Sequence, residues 1–195
     1  MTRHAKVVFY HLGKLTMAIK LFHYTYGHRL SSIQRDGMLR ATGITIPANE
    51  RPSLWYSTRS DFEPTALKPV KFPGHDGPVR LSMEQLHELA GVYRFATDTE
   101  LVRAKPFPQA CRDIGIMPTD ARQMISVGIE LGADPADWYA TTRHQLVNLH
   151  VFERWDGEEW VAANMATEVE MRAQMSITSE ATGQRWTDMQ QKSFQ

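Results

Sequence analysis

Residues 21–58 constrain this chain more than any other stretch, because strand, helix and strand follow one another there with a chemically able side chain on each strand. The run Leu21-Phe22-His23-Tyr24-Thr25 is a short apolar strand that carries one histidine. Tyr26 and Gly27 break it, and over residues 29–35 Leu30 and Ile33 fall three apart, on one helical face. Gly37 supplies the helix stop. Residues 39–46 are extended, with β-branched Thr42, Ile44, Thr45 and Ile46, and residues 47–52 form a polar loop. Leu54-Trp55-Tyr56-Ser57-Thr58 then closes an aromatic strand over 53–58. Alternation puts Trp55 and Tyr56 on opposite faces, with Trp55 in the core. A histidine and a tyrosine thus stand on two strands able to lie side by side, the layout of a cleft built on strand edges.

The rest of the chain reads as short elements of both kinds. Residues 61–68 predict a helix capped by Ser60 or Asp61, with Pro64 admissible only in its first turn. Residues 69–78, with Pro69, Pro73, Pro78, Gly74 and Gly77, read as a surface loop. A short strand over 79–82 leads into a helix to about Ala90, opened by a capping box with Ser82 at the cap and Gln85 three residues on. Residues 92–96 alternate as a strand, and 97–118 are irregular around Pro106, Pro108 and Pro118. Residues 119–131 are the strongest helix, with Thr119 as cap, Met124, Val127 and Leu131 at helical spacing, and Gly132 as stop. Asp134-Pro135-Ala136-Asp137-Trp138-Tyr139 turns into an aromatic segment. Residues 146–155 alternate as one strand through Val147, Leu149 and Val151; Asp156-Gly157 marks a hairpin and 159–163 returns. Residues 165–177 fit a helix or a last strand equally well. Mixed short strands with a few helices predict an α+β fold. It divides into an N-terminal extension or accessory strand over 1–16, one domain over 17–178, and a polar tail over 179–195.

Composition removes several classes of function. Lys plus Arg and Asp plus Glu each number 22 in 195 residues, so no global basic field holds a nucleic-acid duplex. The single cysteine, Cys111, leaves no internal disulfide and no cysteine pair for a metal, and fits a reducing, cytoplasmic compartment. No run of 18 apolar residues occurs, so no spanning helix and no membrane partner are expected. His23 and His28, and His144 and His150, are not one helical turn apart, and no metal is predicted. The glycine-rich phosphate loops and the Gly-x-Ser-x-Gly elbow are absent, which disfavours P-loop enzymes, Rossmann oxidoreductases and the common serine hydrolases.

His23-Tyr24-Thr25, Ile33 with Gly37-Met38-Leu39, and Trp55-Tyr56-Ser57-Thr58 resemble the motifs of the ADP-ribosyltransferase superfamily, in its poly(ADP-ribose) polymerase-like, diphtheria-toxin-like branch. The chain also looks like small bacterial and phage proteins of that general shape. Those share stretches similar to residues 51–58, 63–66 and 134–138. The similarity centres on residues 19–68. It implies a split mixed β-sheet with peripheral helices and NAD as the substrate. His23 would hydrogen-bond the adenosine ribose, with Tyr24 and Thr25 beside it. Tyr56 would stack on the nicotinamide, Ser57 would offer its hydroxyl, and Arg59 would meet the pyrophosphate. Tyr24 stands where the branch usually has glycine. The reaction implied is release of nicotinamide through an oxocarbenium-like transition state, with mono-ADP-ribosylation of a protein or nucleic-acid acceptor.

A carboxylate normally stabilises that transition state. Residues 141–146, where the third motif is expected, contain none, which leaves Asp137, Glu153, Glu168 and Glu170 as candidates, Asp137 first, or Gln145 as a polar substitute. Two rivals follow. An NAD-dependent RNA 2′-phosphotransferase would need Arg29, Arg59 and Arg80 to converge with His23. A catalytically inactive binding or inhibitory module would keep the cleft without the acid.

Overall fold

The computed structural model describes residues 18–42, 47–66, 69–71 and 76–182. In chain order the elements are β1 (Lys20–Tyr26), α1 (Gly27–Asp36), β2 (Met38–Leu39), β3 (Leu54–Ser57), β4 (Val70–Lys71), β5 (Pro78–Val79), α2 (Met83–Ala90), β6 (Val92–Asp98), α3 (Thr99–Val102), β7 (Lys105–Pro106), α4 (Phe107–Ile114), α5 (Pro118–Glu130), β8 (Trp138–Thr141), β9 (Gln145–Leu146), β10 (Val151–Trp155), β11 (Trp160–Ala162) and α6 (Met165–Thr182). The fold is α+β. Its centre is a seven-stranded sheet in the order β11-β10-β6-β1-β3-β8-β7, with separate pairs β2–β9 and β4–β5. Every strand pair among the described residues is antiparallel, where a mixed sheet was expected.

The histidine-bearing strand lies in the middle. β1 pairs with β6 along its whole length, from Lys20 opposite Asp98 to Tyr26 opposite Val92. On its other side Phe22 faces Ser57 of β3. One face of the sheet carries Leu21, Tyr56, Tyr93, Phe95 and Phe152, packed with Leu30 of α1 and against Met165 and Val169 of α6. On the other face Trp138 and Trp55 meet Phe107 and Cys111 of α4. Farther along that face Leu86 of α2 joins Val92, Trp155 and Trp160. Burying each such large side chain stabilises the fold by roughly 1.5–3 kcal/mol before entropy is counted.

Local chemistry accounts for most of the boundaries. The Ser82–Gln85 capping box forms in both directions, Gln85 N–H to Ser82 Oγ at 3.3 Å and Ser82 N–H to Gln85 Oε1 at 2.9 Å. Gly37 closes α1 at φ +62, a left-handed geometry that suits glycine. The Asp156-Gly157 turn joins β10 to β11, with Trp155 opposite Trp160. Residues 165–177, open between helix and strand in sequence, belong to α6.

Besides the strand directions, the short strand expected over 79–82 is instead Pro78–Val79, paired with Val70–Lys71 inside the stretch read as a loop, and four other expectations need correction. Residues 97–118 are not irregular but hold α3, β7 and α4, where Asp98 caps α3 and Pro106 precedes α4. Of the helix expected over 61–68, the described residues 61–66 hold a single 3₁₀ turn, Pro64–Ala66, where Glu63 turns inward to accept hydrogen bonds from its neighbours. Thr119 does not cap α5; the cap position is Met117 and Pro118 opens the helix, its missing N–H costing nothing there. The single strand expected over 146–155 is interrupted by a 3₁₀ turn, Val147–Leu149. The N-terminal extension over 1–16 with residue 17, residues 43–46 of the extended segment, 67–68 of the expected helix, 72–75 of the expected loop and 183–195 of the tail lie outside the described residues. No helix among the described residues is long and apolar enough to cross a membrane.

Candidate functional site

The antiparallel pairing of β1 with β3 sets His23 beside Tyr56 on one face of the sheet. Their rings meet edge-on, with centroids 5.8 Å apart and planes at 61°. The His23 Nδ1 lies 2.8 Å from the Trp55 carbonyl, which can only accept, so Nδ1 carries the proton and Nε2 presents its lone pair. No hydrogen bond among the described residues reaches that Nε2. Burial holds the imidazole below the ordinary histidine pKa, partly opposed by the Trp55 carbonyl.

A third side chain completes the cluster. His150 Nε2 lies 3.1 Å from the Tyr56 hydroxyl, and His150 Nδ1 lies 3.0 Å from the Leu146 carbonyl. The carbonyl again fixes the proton on Nδ1, so Tyr56 donates and His150 Nε2 accepts. The two rings are nearly parallel, at 4° with centroids 6.1 Å apart, and Phe95 meets His150 edge-on. Burial, with His23 close by, pushes the His150 pKa down to about 4, and the Leu146 carbonyl opposes this. Burial also raises the Tyr56 phenol well above its usual range. At neutral pH the cluster is therefore uncharged: two neutral imidazoles with a phenol between them.

The 3₁₀ turn before β10 holds His150 in place. Val147 N–H donates to the Gly37 carbonyl at 3.0 Å, and the Leu149 carbonyl accepts from Thr97 Oγ1 at 2.9 Å. The same turn explains why alternation missed His150. It shifts the strand by one residue, so Phe152 is 8% exposed and Val151 58%, the reverse of the expected faces. His150, two residues before Phe152, turns inward with it.

The other sequence-predicted residues divide between the two faces. Thr25 is buried opposite Tyr93, on the His23 face. Tyr24 points the opposite way, against Phe62 and Trp160, and its hydroxyl donates to the Arg59 carbonyl. Ser57 is on that far face too. Its Oγ donates to Glu63 Oε2 at 2.8 Å, and Glu63 Oε1 accepts from Thr65 Oγ1 at 2.7 Å and Trp138 Nε1 at 3.2 Å. The Arg59 guanidinium is held by Asp61 at 3.0 Å and by the Gly132 carbonyl at 3.0 Å. Asp137 accepts from the Thr58 hydroxyl.

None of the carboxylate candidates hydrogen-bonds His23 or Tyr56. Glu153 is paired with Arg94, a buried guanidinium lying 4.3 Å over Phe22 and 4.4 Å over Trp160. Glu168 accepts from the Tyr93 hydroxyl at 2.9 Å and faces Arg154 at 3.3 Å. Glu170 is exposed on α6. Gln145 donates to the Val102 carbonyl. Glu63, the buried carboxylate that the sequence reading passed over, had one signal: a proline and a threonine follow it, so the Thr65 N–H lies within its own turn.

Comparison with family models, with curated proteins and with solved structures returns no significant match for this chain.

Proposed function

We propose that the chain has an ADP-ribosyltransferase-like fold, binds NAD against His23 and Tyr56, and transfers ADP-ribose to a protein or nucleic-acid acceptor with release of nicotinamide. The observation that carries this reading is the pairing of β1 with β3. It sets the histidine and the tyrosine on one face of the central strands and leaves His23 Nε2 without a hydrogen-bond partner among the described residues, as a ribose hydroxyl would require. Tyr56, 3% exposed in this structure, would supply the aromatic wall for the nicotinamide once that face is uncovered. His150 takes the place of the expected carboxylate, and its neutral Nε2, once released by the Tyr56 hydroxyl, is a proton acceptor for the incoming nucleophile. The phosphotransferase alternative draws less support, since Arg59 is already held by Asp61 and Gly132.

One observation favours a second reading, a binding module without transfer. An uncharged imidazole stabilises an oxocarbenium-like charge less than a carboxylate does. Calorimetry with NAD on the wild type and on His23→Ala, with nicotinamide measured in the same samples, separates the two. Binding weakened about tenfold or more in the variant, with nicotinamide released by the wild type, supports the transferase. Binding without release supports the module. A wild type that does not take up NAD sinks the NAD assignment and leaves His23 and Tyr56 as core residues of an interaction module.

A further inference from the structure

At the β7–β8 end of the sheet, away from His23, α4, Lys105 of β7, the end of β8 and Arg51 of the loop before β3 line an open cleft of about 300 Å³. Arg51, Arg103, Lys105 and Arg143 line it with one carboxylate, Asp113, while the chain as a whole carries no net charge. Two of these cations are occupied. Lys105 Nζ lies 2.6 Å from Asp113, and Arg51 donates to the Asp113 carbonyl at 3.3 Å. Among the described residues the guanidiniums of Arg103 and Arg143 have no hydrogen-bond or ion-pair partner. Four positive groups around one concavity repel one another unless an anion lies between them.

Arg103 adds an independent observation. It closes α3 at φ +52 and is the one non-glycine residue with positive φ among the described residues. Glycine or asparagine suits that position best, because a larger side chain there is strained. Arg103 is exposed, so a free guanidinium alone is ordinary there; its disfavoured backbone conformation on the lining of a basic cleft is what points to a ligand. The lining contains no aromatic residue on which a base could stack, and its volume is at the small end for ligand sites. The fork of an arginine matches phosphate oxygens.

We propose that this cleft is a phosphate-binding site, in which Arg103 and Arg143 clamp phosphoryl oxygens presented by a small polyphosphate or by the backbone of a single nucleic-acid strand. The site goes beyond the NAD reading and does not depend on it. Titration of the full chain with pyrophosphate and with a short oligothymidylate, at about 50 mM and about 200 mM salt, tests it. Wild type is expected to bind one or both probes, more weakly at the higher salt. Arg103→Gly should weaken binding at least tenfold without lowering the melting temperature, since glycine relieves the backbone while removing the charge. Arg143→Gln should weaken it similarly. Displacement of the oligonucleotide by equimolar pyrophosphate assigns a small phosphate; displacement only at large excess assigns a strand. No binding of either probe by the wild type, or unchanged affinity in Arg103→Gly, overturns the proposal.

Discussion

His150 and Glu63 show how residues of little note in sequence acquire roles by placement. Both neutral imidazoles of the site have pKa values held below that of a free histidine, His150 down to about 4, mainly by burial. The unfolded chain takes up a proton on His150 as pH falls below about 6.5, while in the folded chain that ring resists until about 4, so stability rises with pH across that window, and the lowered His23 pKa acts in the same direction. Acidification from pH 6.5 to 4 is expected to reduce unfolding free energy by on the order of 2 kcal/mol through His150, read as a falling urea midpoint. A His150→Asn variant should show a shallower decline. Glu63→Ala should cost about 3 kcal/mol in the same assay, because it strands the buried Ser57 hydroxyl and the Trp138 N–H in the core. An unchanged midpoint would show that water replaces the carboxylate. His23, Tyr56 and their shared face were legible, since strand alternation and a two-element connection determine both. His150 was not, because one 3₁₀ turn reverses the parity on which alternation depends.

Secondary-structure elements were legible in proportion to their punctuation. Ser82 with Gln85, and Gly37, announced their ends chemically, and both ends form as read. α3, β7 and α4 had weak signals, being two to eight residues long, and α4 follows a proline instead of a polar cap. α5 was recognised by its apolar spacing, yet Val127 is 44% exposed, and Gly128 is the residue buried against the sheet layer. A Cβ on Gly128 would lie 2.3 Å from the Trp138 ring. Gly128→Ala therefore sets a helix-propensity gain of about 1 kcal/mol against an overpacking cost of about 1–3 kcal/mol, with a rigid buried indole on the other side. The expected outcome is net destabilisation, seen as a lower melting temperature; a higher one would show that α5 slides off Trp138 at little cost. Ser82→Ala should cost about 1 kcal/mol by loss of the capping box.

At the scale of the whole molecule the α+β class was legible from the mixture of short strands and helices, whereas the sheet order was not. Placing β6 between β1 and β10 rests on pairings between residues far apart in sequence, and no local signal encodes them. The seven-residue β1–β6 ladder at the sheet centre should supply the slowest-exchanging amides, opening only with global unfolding; hydrogen exchange faster there than in α5 would contradict it. The central position of β1 has a consequence for how the chain comes to be folded. Phe22 pairs with Ala96, roughly 70 residues later, so at about 5–20 residues per second the ribosome needs several seconds between making one strand and its main partner. Until β3 is made, an apolar strand rich in β-formers has both edges bare, and until β6 follows one edge stays bare, able to pair with a neighbouring nascent chain. The Tyr56–His150 hydrogen bond closes over 94 residues, later still. The strand that anchors the finished site is thus the segment most exposed to aggregation during synthesis, and slowed elongation between residues 26 and 92 should lower the soluble yield.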